Sequence, residues 1–136
     1  MTVKPGPYDL TSTRLILGPQ GNATPKPVTP DFYAELDREF SDFSGHVLIS
    51  RHEFDEPWEG WEMHPRGDEF TYLLFGDVDF VLREGDRETI VRVNEERSYL
   101  LVPQGAWHTA RPRKPTAMLF VTPGEGTLNA DAPGDT

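Results

Sequence analysis

From Gly45 to Thr122 apolar and polar side chains alternate with a period of two, broken by short runs of glycine, proline, aspartate and asparagine. Neighbouring side chains on an extended chain point to opposite faces, so this pattern predicts strands over residues 46–54, 61–64, 69–75, 78–83, 88–93, 98–102, 107–111 and 117–122. An earlier strand is expected over 11–17, TSTRLIL, which is rich in β-branched and aliphatic residues. Only one stretch has a helical period. Phe32, Leu36 and Phe40 recur every four residues behind Thr29, Pro30 and Asp31, which predicts an amphipathic helix over 30–40 covering an end or edge of the sheet. GlyAsp at 76–77, GluGlyAsp at 84–86, AsnGluGlu at 94–96, ProGlnGly at 103–105 and ProArgLysPro at 112–115 carry turn chemistry. Strands this short and this closely spaced indicate an antiparallel sandwich or barrel rather than a parallel sheet.

The bulk numbers narrow the function classes. With 136 residues and 36% hydrophobic content, the chain fits one domain with one core. Residues 1–9 read as an N-terminal tail, 10–123 as a β-barrel domain, and 124–136 as a disordered tail or a flap. A formal charge of −10 argues against nucleic-acid and anionic-membrane partners. The absence of cysteine excludes disulfides, thiolate metal sites and cysteine nucleophiles. Neither a signal peptide nor an apolar run long enough to span a bilayer occurs, so a cytoplasmic protein is expected. No nucleophile elbow or phosphate loop is found either.

The chemistry concentrates in WEMHPRGDEFTYLLFG, 61–76, and VPQGAWH, 102–108. Glu62 and His64 are two apart on a strand and share a face; Glu69 opens the next strand and returns a carboxylate toward the same end of the sheet. Pro103 and Gly105 force a bend before His108. Two carboxylates beside neutral histidines inside an apolar barrel need a positive charge, and a divalent metal supplies it most directly. Two imidazoles with two carboxylates suit manganese, iron, nickel or zinc. In the competing arrangement the site holds no metal and Arg66 or Arg111 neutralises the acids as an ion-pair network. Within the metal arrangement, Asp68 replaces Glu69 as ligand if the loop is one residue tighter. His52 shares a strand face with His46 and is a reserve ligand or a residue supporting the ligands. Trp58, Trp61 and Trp107 flank the two stretches. The pocket expected beside the metal is lined by Trp61, Tyr72, Trp107 and His52, although either Phe70, Tyr72 and Leu74 or the alternating set Glu69, Thr71 and Leu73 could face it.

These two stretches resemble the motifs of the cupin superfamily, roughly GxxxxxHxHxxxxExxxxxxG and GxxxxxPxGxxHxxxN. His64, four residues, Glu69, six residues and Gly76 match the second half of the first motif; Pro103, Gly105 and His108 match the second. Glu62 stands where the family usually has its first histidine, and Pro112 where the terminal asparagine would be. The resemblance implies an antiparallel jelly-roll β-barrel, metal ligation by Glu62, His64, Glu69 and His108, and a homodimer, for which TSTRLIL offers an exposed edge. For function it implies a metal-dependent enzyme acting on a small organic molecule, a dioxygenase, isomerase or related activity. A non-catalytic module that binds or senses a small molecule in the same pocket is the alternative.

Overall fold

A computed structural model describes residues 3–134. Nine strands, one α-helix and one 3-10 turn make up the described chain. The strands are β1 (Thr13–Leu17), β2 (Ala23–Pro27), β3 (Val47–Phe54), β4 (Trp61–Met63), β5 (Glu69–Glu84), β6 (Arg87–Val93), β7 (Tyr99–Val102), β8 (Trp107–Thr122) and β9 (Leu128–Ala130); the helix α1 is Phe32–Glu39. All pairings are antiparallel, in the order β2-β1-β3-β8-β4-β9, with β5 joining β8 to β6 and β7. The long strand β8 organises the molecule, because β3 and β5 flank its second half while β4 and β5 flank its first. A sheet paired this way curls on itself into a barrel.

β5 and β8 are each one strand where the sequence pattern predicts two. At Gly76–Asp77 the chain does not turn back; it passes through a bulge, with register shifts between Leu73 and Val78. Gly76 has φ of 119°, and a Cβ there would run into Thr116. Turn chemistry and bulge chemistry use the same residues, which is why the pattern reads as a hairpin. The bulge also switches the inward set, from Glu69, Thr71 and Leu73 before it to Val78, Phe80 and Leu82 after it. Opposite it, Pro112 and Pro115 sit inside β8, where the register is irregular.

TSTRLIL is not an edge. β1 pairs with β3 on one side and β2 on the other. The edge is β2, ATPKP, whose two prolines cannot extend a ladder and also hide it from a propensity reading. α1 is shorter than the predicted 30–40, starting after an Asp31 N-cap and ending at Phe40. Thr29, a capping candidate by sequence, instead bonds the Glu35 carboxylate at 2.5 Å. Phe32 and Leu36 pack with Ile16, Phe43 and Leu48 over one mouth of the barrel. A larger cluster around Leu73, Val78, Phe80, Met118 and Phe120 fills the barrel. The segment expected as a C-terminal tail carries β9, which pairs with β4.

Candidate metal centre

Glu62 and His108 are direct cross-strand partners on β4 and β8. Such partners have Cβ atoms about 5 Å apart on one face, so the pairing alone brings a carboxylate beside an imidazole. His64 follows the end of β4, and its carbonyl accepts the Gly105 N–H at 3.0 Å. The Gln104 side chain donates to the Pro65 carbonyl at 2.8 Å, and the Gln104 N–H donates to Asp68 at 2.8 Å. Asp68 therefore staples the two loops and is not a ligand candidate. Glu69 opens β5 and accepts the Thr122 hydroxyl on Oε2 at 2.6 Å. All four expected ligands converge. Glu62, His64 and His108 each offer an atom within 4.8 Å of the others. Glu69 lies closer to both histidines, 3.3 Å from His64 Nε2 and 3.4 Å from His108 Nε2, against 3.8 Å for each from Glu62. Arg66 pairs with Glu125 at 3.9 Å, and Arg111 is exposed, so neither neutralises these acids.

The outer nitrogens fix the tautomers. His108 Nδ1 faces the Ala106 carbonyl at 3.3 Å, which only accepts, so Nδ1 carries the proton. The Thr127 hydroxyl donates to the Gly124 carbonyl at 2.9 Å, so its oxygen is left to accept from His64 Nδ1 at 2.8 Å. Each neutral imidazole then turns an Nε2 lone pair inward. His64 Nε2, His108 Nε2 and Glu69 Oε1 are buried atoms without a hydrogen-bond partner; His108 Nε2 lies 3.4 Å from Glu69 Oε1 and His64 Nε2 lies 3.3 Å from Glu69 Oε2, with no proton between them in these tautomers. Lone pairs that face one another in a buried site repel unless something positive lies between them. A divalent cation or two protons satisfies the set, and the donor types fit a divalent transition ion.

The metal-free electrostatics divide the two acids. Burial pushes Glu69 up, but His108 and His64 beside it outweigh burial and bring its carboxyl down to about 2. Burial raises Glu62, and the Glu69 charge raises it further, against the pull of the histidines. Burial lowers His108, yet Glu69 and Glu62 raise it more.

A cavity of about 650 Å³ opens beside the centre, between the two apolar clusters. Leu48, Ser50, His52 and Phe54 reach it from β3, Phe120 and Thr122 from β8, and Leu36 from α1. Trp58 also lines it, 6.2 Å from the His108 ring between centroids. His52 is thus on the cavity wall, held neutral first by burial and then by the Arg14 charge. The other three residues expected in the pocket are elsewhere. Trp61 and Trp107 are the immediate strand neighbours of Glu62 and His108 and so point to the opposite face; Trp107 is covered near Gly134. Tyr72 belongs to the outward set of β5 and stacks on Phe70 at 6.3 Å. Thr127 and Asn129, both close to the centre, lie in the segment expected as a tail, and a three-residue strand after ProGlyGluGly leaves no period to detect.

No protein-family model matches the chain, and no curated protein matches it. Among solved structures it is similar to an oxalate oxidase, at 15% identity and a TM-score of 0.51, over 60% of this chain and 45% of that one. It is also similar to Bacillus subtilis oxalate decarboxylase, a protein with Mn(II) centers, at 12% identity and a TM-score of 0.53 over 62% of this chain and 23% of that one. A cupin-2 domain protein from Shewanella frigidimarina aligns at 14% identity with a TM-score of 0.46, over 57% of this chain and 70% of that one. The chain thus spans less than half the length of the oxidase and the decarboxylase. At these identities the likeness is one of architecture: the fold of this chain is the curled antiparallel β-barrel that it shares with the oxidase and the decarboxylase.

Proposed function

We propose that Glu62, His64, Glu69 and His108 hold a divalent transition metal and that the chain is a metal-dependent enzyme acting on a small organic molecule in the adjoining cavity. The observation that carries this is the convergence of His64 Nε2, His108 Nε2 and Glu69 Oε1, three buried atoms without partners. Manganese, iron, nickel and zinc all accept two imidazoles with carboxylates. A bound ion of this kind supplies Lewis-acid or redox chemistry. The chain's own residues do the rest. Thr127 and the Ala106 carbonyl hold the imidazoles in the ligating tautomer, Thr122 orients Glu69, and the neutral His52 on the cavity wall offers a proton acceptor. Oxalate, the substrate named for two of the similar structures, is not carried over, because likeness of fold does not transfer a substrate.

The test is elemental analysis of protein purified without chelator or affinity metal, beside His64→Ala and His108→Ala. Near-stoichiometric metal, lost in both variants, is expected, and dioxygen uptake or turnover of a small substrate then separates an enzyme from a binding module. Wild-type protein that stays metal-free after reconstitution refutes the proposal.

For the homodimer we propose the outer face of the barrel. Leu101, Phe70, Val121, Ile49 and Leu15 stand side by side in one cross-strand row over five strands, and none is buried. Two copies that each carry −10 repel, so they meet best where no acid lies, and this row contains none. Among the described residues no helix is long and apolar enough to cross a membrane.

A further inference from the structure

The charge balance of the centre and the walls of its cavity together select a class of ligand. This step rests on the metal reading above. Two carboxylates and two neutral imidazoles carry −2, so a divalent ion leaves the centre at zero. A usual cupin set as read from the motif, three histidines and one glutamate, would leave it at +1 and ready for an anion. Here Glu62 removes that charge. The cavity does not restore it. Its described lining contains no lysine or arginine and does contain Asp37 and Glu53. Two guanidiniums stand just outside the lining and each is engaged: Arg14 lies over the Phe32 ring at 4.7 Å and donates to the Tyr33 hydroxyl at 3.2 Å, and Arg51 pairs with Glu53 at 3.0 Å, which leaves Asp37 as the uncompensated acid of the wall. An anion entering this site would lose its hydration and find a neutral centre and no cationic side chain in the lining to compensate it.

The walls favour a flat apolar body. Trp58 lies edge-on to Phe54 at 5.7 Å and tilted against Phe120 at 6.0 Å, so an aromatic corner stands directly beside His108. At about 650 Å³ the cavity has room for a molecule of ring size or larger. We infer that the site takes an uncharged, flat, mostly apolar organic molecule and discriminates against carboxylates.

Two probes of the same shape test this by calorimetry on metal-loaded protein: 2-naphthamide, which is neutral, and 2-naphthoate, which is an anion. The amide is expected to bind at least ten-fold more tightly. Glu62→His raises the centre to +1, so in that variant the carboxylate should gain at least ten-fold while the amide stays within about three-fold. Trp58→Ala should weaken the amide in both backgrounds, which places it in this cavity. Tighter or equal binding of 2-naphthoate by the wild type overturns the assignment, as does a Glu62→His variant whose preference does not move. Metal content is measured on the same samples. Absence of metal from both forms after reconstitution overturns the metal reading and this inference with it, whereas bound metal with the wrong order of affinities overturns this inference alone.

Discussion

Thr127→Val tests whether the tautomer of His64 is set from outside the centre. Valine keeps the shape of threonine and removes the oxygen that accepts from His64 Nδ1 at 2.8 Å. His64 is 4% exposed and the valine methyl fills the place of the hydroxyl, which leaves little room for water to take over that bond. A buried donor left without a partner costs about 1–3 kcal/mol. The imidazole escapes that cost by moving its proton to Nε2, where it occupies the lone pair that faces Glu69. Loss of such an outer partner weakens metal affinity about 10–100-fold, or ~1.4–2.7 kcal/mol, the same size as the hydrogen-bond cost. Competition with a chromophoric chelator near neutral pH measures it, with metal-free melting as the control for folding. Thr127→Ser keeps the acceptor and should bind metal within about three-fold of wild type. Thr127→Val at wild-type affinity, or Thr127→Ser as weak as the valine variant, refutes the reasoning.

Three further outcomes follow from the structure. In metal-free protein the contribution of Glu69 is present above its ordinary value of 4.5 and disappears as pH falls toward about 2; that of His108 is present below its ordinary value of 6.5 and disappears as pH rises through its raised folded value. The melting temperature of metal-free protein should therefore fall as pH rises above 6.5, while metal, which competes with protons for the histidines, should bind more tightly in the same direction; parallel curves for both forms speak against a shared site. Gly76→Ala, which puts a Cβ into Thr116 at a φ of 119°, should destabilise by at least ~2 kcal/mol in urea unfolding, and a loss below about half of that means the bulge adapts. Phe70→Glu, in the middle of the outer apolar row, should convert a dimer into a monomer in sedimentation equilibrium without loss of bound metal; an unchanged dimer places the interface elsewhere.

How much of this was legible depended on whether a signal was local. Period-two alternation located most of the strands, and cross-strand pairing aims Glu62 and His108 at one point, where His64 joins them and Glu69 reaches both histidines at 3.3–3.4 Å. The pocket was legible only at His52. Whether Tyr72 or Thr71 faces inward depends on the bulge at Gly76, which the sequence presents as a turn, and one residue of register exchanges the two faces. β2 and β9 were invisible for opposite reasons: ATPKP carries two prolines against strand propensity, and LNA is too short to show a period. The cost of missing β9 was Thr127, whose contact with His64 spans 63 residues and leaves no trace in either motif.

The two acids of the centre do different work because their surroundings differ. Glu69 is almost fully enclosed, held by Thr122 and both histidines, and ionised down to about pH 2. Glu62 faces the cavity with 40% of its side chain exposed, and burial together with the Glu69 charge raises it above the ordinary carboxylate range. Paired carboxyls pushed apart in this way separate a fixed charge from a proton carrier. Of the two carboxylates, acidification should therefore reach Glu62 before Glu69, from the side open to the cavity, and weaken its hold on the metal while Glu69 is still charged. In that case Glu62→Gln, which removes the proton carrier and keeps its shape, weakens metal binding but makes its dependence on pH shallower on the acid side, whereas Glu69→Gln removes the fixed charge and abolishes binding at every pH. Equal loss of affinity with identical pH dependence in the two variants would mean that the carboxylates are interchangeable and that their different burial has no chemical consequence.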